Sequence, residues 1–152
     1  MAQQTAIYNN FAAELLKGDI DLESDTIKLA LVTDSYTLNP DTHTHFDDIT
    51  NEVTGTGYTA GGITISNITV TVDNTDDKAY ISADSPERDS VTFDTPARAA
   101  ILYKDTGTAS TSALIMVIAF AADQDPQDVD YVINWDPDGI FEITVPDPVS
   151  PL

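Results

Sequence analysis

ARAAILYKDTGTASTSALIMVIAFAA, residues Ala97 to Ala122, carries two apolar runs joined by a short polar stretch. Ala97 to Tyr103 predicts a strand, and Thr106 to Ser112 a small polar turn. Ala113 to Ala122 has no polar alternation and reads as a strand buried on both faces. At ten residues it is about half of the roughly 20 a membrane helix needs. The fold is therefore expected to be mainly β.

Outward from this centre the same β signals recur. Thr26 to Thr33 predicts a strand with Ile27, Leu29 and Leu31 on one side. Val91 and Phe93 predict a short strand ending at Pro96, after a loop over Ser85 to Asp89. Ile63 and Ile65 have opposite parity to Ile68, Val70 and Val72, which demands a bulge or tight turn at Ser66-Asn67. Asn74 to Lys78 reads as a turn, followed by a strand from Ala79 to Ala83. Val129, Tyr131, Ile133 and Trp135 share one parity, answered across Asp136-Pro137-Asp138-Gly139 by Phe141, Ile143 and Val145. That pattern predicts a hairpin from Val129 to Val145. Thr5 to Lys17 predicts one helix, with Ile7, Phe11 and Leu15 in a stripe, Thr5 as N-cap and Gly18 as a left-handed C-cap. Pro146 to Leu152 holds three of the eight prolines and is excluded from any central strand. The expected architecture is mainly β, a single-domain sandwich or barrel spanning residues 1–152 with an N-terminal helix over 5–17 and a Pro-rich tail over 146–152.

Composition narrows function. The chain has 26 acidic and 6 basic residues, a net charge of -20, and aspartate dominates the acids, as suits a loop-rich β protein. Phosphate affinity comes from Lys and Arg, so nucleic acid is not an expected partner. Cysteine is absent, which removes disulfides, thiol catalysis and Cys-ligated zinc. The N-terminus shows no basic region followed by an apolar core, so synthesis in the cytoplasm is expected, with no membrane partner.

Motifs that suggest chemistry are each answered by a plainer reading. Gly55-Thr56-Gly57-Tyr58-Thr59-Ala60 matches a loose dinucleotide string, but a turn and strand follow it where a helix is required. His43 and His45 with Asp41, Asp47 and Asp48 are the ligand types of a metal site, yet no second ligand pair accompanies them; a solvated loop over Ser35 to Asp48 is expected. Replacing both histidines should then cost no more than about 0.5 kcal/mol. Asp73 to Asp77 has calcium-type oxygens without the loop-end Glu. No nucleophile elbow or distinct carboxylate pair stands out. No catalytic, cofactor or metal residues are assigned, and the chain is not expected to be an enzyme.

The charge map supplies one positive signal. Val53 to Val72 has no charged residue, and Thr95 to Ala122 has Asp105 as its one acid beside Arg98 and Lys104. Core strands account for part of this, but the threonines and glycines of the first segment are too polar to be interior. A surface kept free of like-charge repulsion is what a subunit contact needs. Thr56, Tyr58, Thr59, Arg98 and Lys104 are the expected contact residues.

Three pieces, LALVTDSYTLNPDTHTHFDDITNEVTGTGYTAGG (Leu29 to Gly62), ARAAILYKDTG (Ala97 to Gly107) and INWDPDGIFEIT (Ile133 to Thr144), together resemble small virion structural proteins of tailed bacteriophages. The resemblance covers most of the chain after its first two dozen residues. It implies a head decoration or cement protein, present in many copies, contacting the major capsid protein and copies of itself, with no chemistry. The charge argues for the outer capsid surface, since -20 per copy would be repelled by packaged DNA. The alternatives are a tail or baseplate component and a carbohydrate-binding β-sandwich using Tyr36, Tyr58 or Trp135.

Overall fold

A computed structural model of the chain describes residues 4–145. In chain order the elements are β1 (Ala6–Ile7), α1 (Asn9–Lys17), β2 (Ile27–Val32), β3 (Gly55–Thr56), β4 (Ile63–Thr64), β5 (Thr69–Asp73), β6 (Lys78–Ser82), β7 (Glu87–Phe93), β8 (Ala97–Lys104), β9 (Leu114–Gln124), β10 (Gln127–Val132) and β11 (Phe141–Thr144). All strand pairings are antiparallel, in a five-stranded sheet ordered β1-β9-β8-β2-β4 and two three-stranded sheets, β10-β7-β3 and β11-β6-β5. The fold is mainly β and sandwich-like, with one α-helix among the described residues. The expected Pro-rich tail, 146–152, lies outside the described residues.

The central sheet is buried on both faces, as the unbroken apolar runs require. Leu29 opposite Leu102, and Leu102 opposite Met116, point to one face. Ala30 opposite Ile101, and Ile101 opposite Val117, point to the other. Side chains of one parity on each strand thus enter one core and their neighbours enter the second. The first face is covered by Phe11 of α1 and by Ile81, Val91, Phe93 and Tyr131 of the two small sheets. Among the described residues the second is covered by no α-helix or sheet: Tyr8, Tyr36, Leu38, Ile49 and Phe46, which opens a short 3-10 turn over Phe46–Asp48, pack there. The segment expected to be a solvated loop is therefore the lid of a second core. Buried coverage persists along β9 only as far as Val117, and Ala121 to Asp123 are exposed.

The helix is shorter than its periodicity suggests. Ala6 and Ile7 pair with Val117 and Met116, and the Thr5 hydroxyl accepts the Ala119 N–H at 3.0 Å, so Thr5 is not the N-cap. Helical dihedrals begin after Tyr8, whose N–H donates to the Ile115 carbonyl and whose side chain is wholly buried. Sheet pairing captures the backbone groups that a longer helix would have used. The C-terminal end is as expected: Gly18 has φ +78, with Gly18 N–H on the Leu15 carbonyl and Asp19 N–H on the Glu14 carbonyl, a Schellman arrangement.

Three further expectations are revised or refined. Val129 to Val145 is not a hairpin: β10 pairs with β7, whereas β11 pairs with β6. The turn itself exists, with Gly139 N–H on the Asp136 carbonyl at 2.9 Å, but it carries the chain from one small sheet to the other. The Ile133 N–H is taken by the Pro86 carbonyl, the Ile140 N–H by the Ile81 carbonyl and the Trp135 indole N–H by the Asp84 carbonyl. Shared parity announces two strands, each with one apolar face, not that they face each other. Ser85 to Asp89 is likewise not all loop, since β7 starts at Glu87; Ser90 at φ +48, its N–H on the Asp130 carboxylate, bulges the strand and hides its alternation. The parity break at Ser66-Asn67 is a change of sheet, from β4 on the central sheet to β5 on a small one, through Asn67 at φ +54.

Candidate interaction surface

The sequence-expected contact residues fall into separate places. Thr56, at the end of β3, and Thr59, on the loop that joins β3 to β4, are exposed. Tyr58 beside them is a support: its hydroxyl accepts the Leu31 N–H at 2.9 Å and donates to Glu52 Oε1 at 2.7 Å. Its ring meets Phe93 edge-on. Burial, reinforced by the Glu52 carboxylate, pushes the Tyr58 hydroxyl pKa far up, so it stays a neutral donor. Glu52 also accepts the Gly61 N–H, and the Tyr103 hydroxyl donates to the Gly61 carbonyl. Gly62 closes this loop at φ +80, where a Cβ would overlap the Leu29 carbonyl; glycine is needed there for close approach to β2.

Arg98 and Lys104 sit at opposite ends of β8, about 20 Å apart at strand rise, and both face carboxylates of their own chain. Arg98 Nη1 is 3.7 Å from Asp123. Lys104 Nζ is 2.9 Å from Asp25 and donates to the Asp19 carbonyl. Most of Ala97 to Tyr103 and Ala113 to Val117 is interior, so core packing explains the missing acid in the second segment.

The histidine loop is a structural knot. The Tyr8 and Tyr36 hydroxyls lie 2.9 Å apart, and Tyr36 is joined to His43 Nδ1 at 2.8 Å. His45 Nδ1 lies 2.9 Å from the Thr44 hydroxyl. Asp48 accepts the Thr44 and His45 N–H groups, and these backbone donors hold its carboxyl below the usual range. Asp73 plays the same part in the β5–β6 turn by accepting the Thr75 and Asp76 N–H groups. Among the described residues no cluster of three or more His, Asp or Glu side chains is placed to hold a metal. Of the aromatics considered for sugar binding, Tyr36 is buried and Tyr58 and Trp135 are half-buried, packed against the core.

Sequence reasoning missed the open apolar face of the β11-β6-β5 sheet. Val70, Ile81 and Phe141 stand in register, as do Val72, Ala79 and Ile143, and all six point to the side that carries Ile81 into the core. Phe11 covers one end, its ring edge-on to Phe141 at 5.6 Å. Among the described residues nothing covers the other end: Val72 is 67% exposed, Val145 62% and Ile143 47%. Leu16, at 88%, stands at the end of α1. Between α1 and this sheet runs an open cleft of about 390 Å³ lined by Leu15, Ile20, Leu22, Val70, Ile81 and Phe141 among others. The alternation of Val70 with Val72 and of Ile143 with Val145 was visible in the sequence, but nothing there places α1 over one end of this sheet and not the other. Comparison with protein-family models, curated proteins and solved structures finds no match for this chain.

Proposed function

We propose that this chain is a structural protein of a tailed-phage virion that coats the outer capsid surface through contacts with the major capsid protein and with its own copies. The observation that carries the reading is an open apolar sheet face on a chain of net charge -20. Large exposed apolar patches on soluble domains mark association surfaces, and the acidity keeps the rest of the surface from sticking. The virion assignment comes from the resemblance of Leu29–Gly62, Ala97–Gly107 and Ile133–Thr144. The acid-free segment carrying Thr56 and Thr59 is a second contact, where a carboxylate would meet like charge on a neighbour.

Binding of the purified chain to undecorated phage heads tests this. Saturable attachment, weakened by Thr59→Asp with unchanged thermal melting, supports the reading; association with tails alone, or with neither, overturns it.

A further inference from the structure

We propose that the cleft between α1 and the β11-β6-β5 sheet receives a basic segment of a second protein, one that presents two or three apolar side chains flanked by Lys or Arg. The inference rests on reading this face as a contact surface and adds the chemistry of its partner. The apolar part follows from the lining: Leu15, Ile20, Leu22, Val70 and Phe141 offer no charge, and Val72, Ile143 and Val145 extend the same face into solvent.

The basic part follows from the rim. Asp21 lines the cleft, and Glu23 reaches β5, accepting the Val70 N–H at 2.9 Å. Asp73, Asp76 and Asp77 lie at the β5–β6 turn, where the uncovered end opens; the Asp77 carbonyl accepts the Val145 N–H. Of the nearby lysines, Lys78 is held by Glu142 at 3.0 Å and Asp76 at 3.8 Å, and Lys17 is exposed at the far end of α1, 4.0 Å from Glu14, so two cations stand against Asp21, Glu23, Asp73, Asp76, Asp77 and Glu142. A second copy would bring an identical acidic rim against this one, and like charges brought together oppose association. The chain's own Pro146 to Leu152 carries Asp147 and no Lys or Arg, so it does not complement the rim either. A partner with cations beside its apolar residues satisfies both requirements at once.

The test uses the full chain and two synthetic peptides with the same apolar residues, one flanked by lysines and one by glutamates, read by methyl NMR. The lysine peptide should shift Leu16, Val72 and Ile143 and bind at least about ten-fold more tightly than the glutamate peptide, a difference of about 1.4 kcal/mol. Its affinity should fall as ionic strength rises, and Val72→Lys should abolish binding with thermal melting unchanged. Equal binding of the two peptides, binding of neither, dimerisation through the same methyls, or binding only after removal of Pro146–Leu152 overturns the inference. Head attachment separates this from the wider reading. If the wild type and Val72→Lys attach equally to heads, the cleft proposal fails and the coat reading stands. If neither attaches while the lysine peptide still binds as expected, the coat reading fails and the cleft proposal stands.

Discussion

The central sheet and the β11-β6-β5 sheet are made from the same strand-forming residues, yet one is sealed on both sides and the other is left half open. In the first, Ile27 to Val32, Ala97 to Tyr103 and Leu114 to Val117 are nearly continuous apolar runs with a cover on each side. In the second, apolar residues alternate with Thr, Tyr and Glu, and only one face has anything to pack against. That face is covered as far as α1 reaches. Nine helical residues span about 13 Å, and the Gly18 cap turns the chain away, so Ile81 is 4% exposed and Val72 67%. The difference lies both in the strands' patterns and in what covers them.

The largest effect should come from the sealed sheet. Leu29 is wholly buried, and Leu29→Ala is expected to cost about 2–5 kcal/mol, measured by urea unfolding. Gly62→Ala acts on the same strand from the backbone. It needs a left-handed conformation and displaces the Leu29 carbonyl, for an expected loss of about 2–4 kcal/mol. If either variant melts within a degree of wild type, the central sheet is not the keystone assumed here.

The second core face sharpens the contrast, because a loop closes it. Tyr36→Phe keeps the ring but removes the hydroxyl that joins Tyr8 to His43. With Tyr8 fully buried, the expected cost is about 1–3 kcal/mol. His43→Ala should cost about 1 kcal/mol, more than an exposed loop residue. His45→Ala should cost less, since among the described residues its ring bonds only within its own turn, to the Thr44 hydroxyl and in a capping box with Asp48, and reaches no buried side chain. Equal, negligible losses for all three would return the loop to solvent.

Acid should act more weakly still. Asp105 is held below the usual carboxylate range first by its bond to Lys28, at 2.6 Å, and then by the Gly107 N–H; Asp48 is held there by backbone donors. Because the folded pKa is depressed, each contributes stability that is full above the unfolded value of about 4. That stability is lost as pH falls through the folded value. Both carboxyls are half-buried and keep contact with water, so each contribution is about 1 kcal/mol or less after screening. Asp105→Asn should flatten the stability profile below about pH 4 without moving the neutral-pH midpoint by more than that.

What was legible in the sequence follows the same division. Burial on both faces leaves an unbroken apolar run, so β2, β8 and the first half of β9 could be read from Leu29, Ile101 and Ile115 alone. Which strands pair is a long-range fact, and the parity of Tyr131 and Phe141 does not contain it. The turn at Asp136–Gly139 looked like a hairpin because a crossover between sheets uses the same residues. Phe46 and Tyr36 were hidden differently: single apolar residues spaced through Thr and Asp have no period, yet Phe46 stacks on Tyr103 at 4.3 Å. The candidate contact residues were sought where charge was missing, and on β8 that absence was the core itself. The open face was missed because exposure depends on which part of the small sheet α1 lies over, a long-range fact that neither the helix stripe nor the Gly18 cap contains.

The smallest effect should come from the open face. Val72 and Ile81 point to the same side of one sheet, two residues apart in the register that pairs Val70 with Ile81 and Val72 with Ala79. Ile81→Ala should cost about 2–4 kcal/mol, because its cavity sits under α1. Val72→Thr exchanges one β-branched side chain for another of similar shape, keeps strand propensity and removes apolar surface that solvent already reaches. Its expected effect on unfolding is within about 0.5 kcal/mol. A loss comparable to that of Ile81→Ala would mean that Val72 is covered in solution. The concentration dependence of melting would then identify the cover: a midpoint that rises with protein concentration means a second copy, and one that does not means a segment of the same chain. A neutral Val72→Thr leaves the residue as strand surface without a stabilising contact of its own, free to be buried only by association.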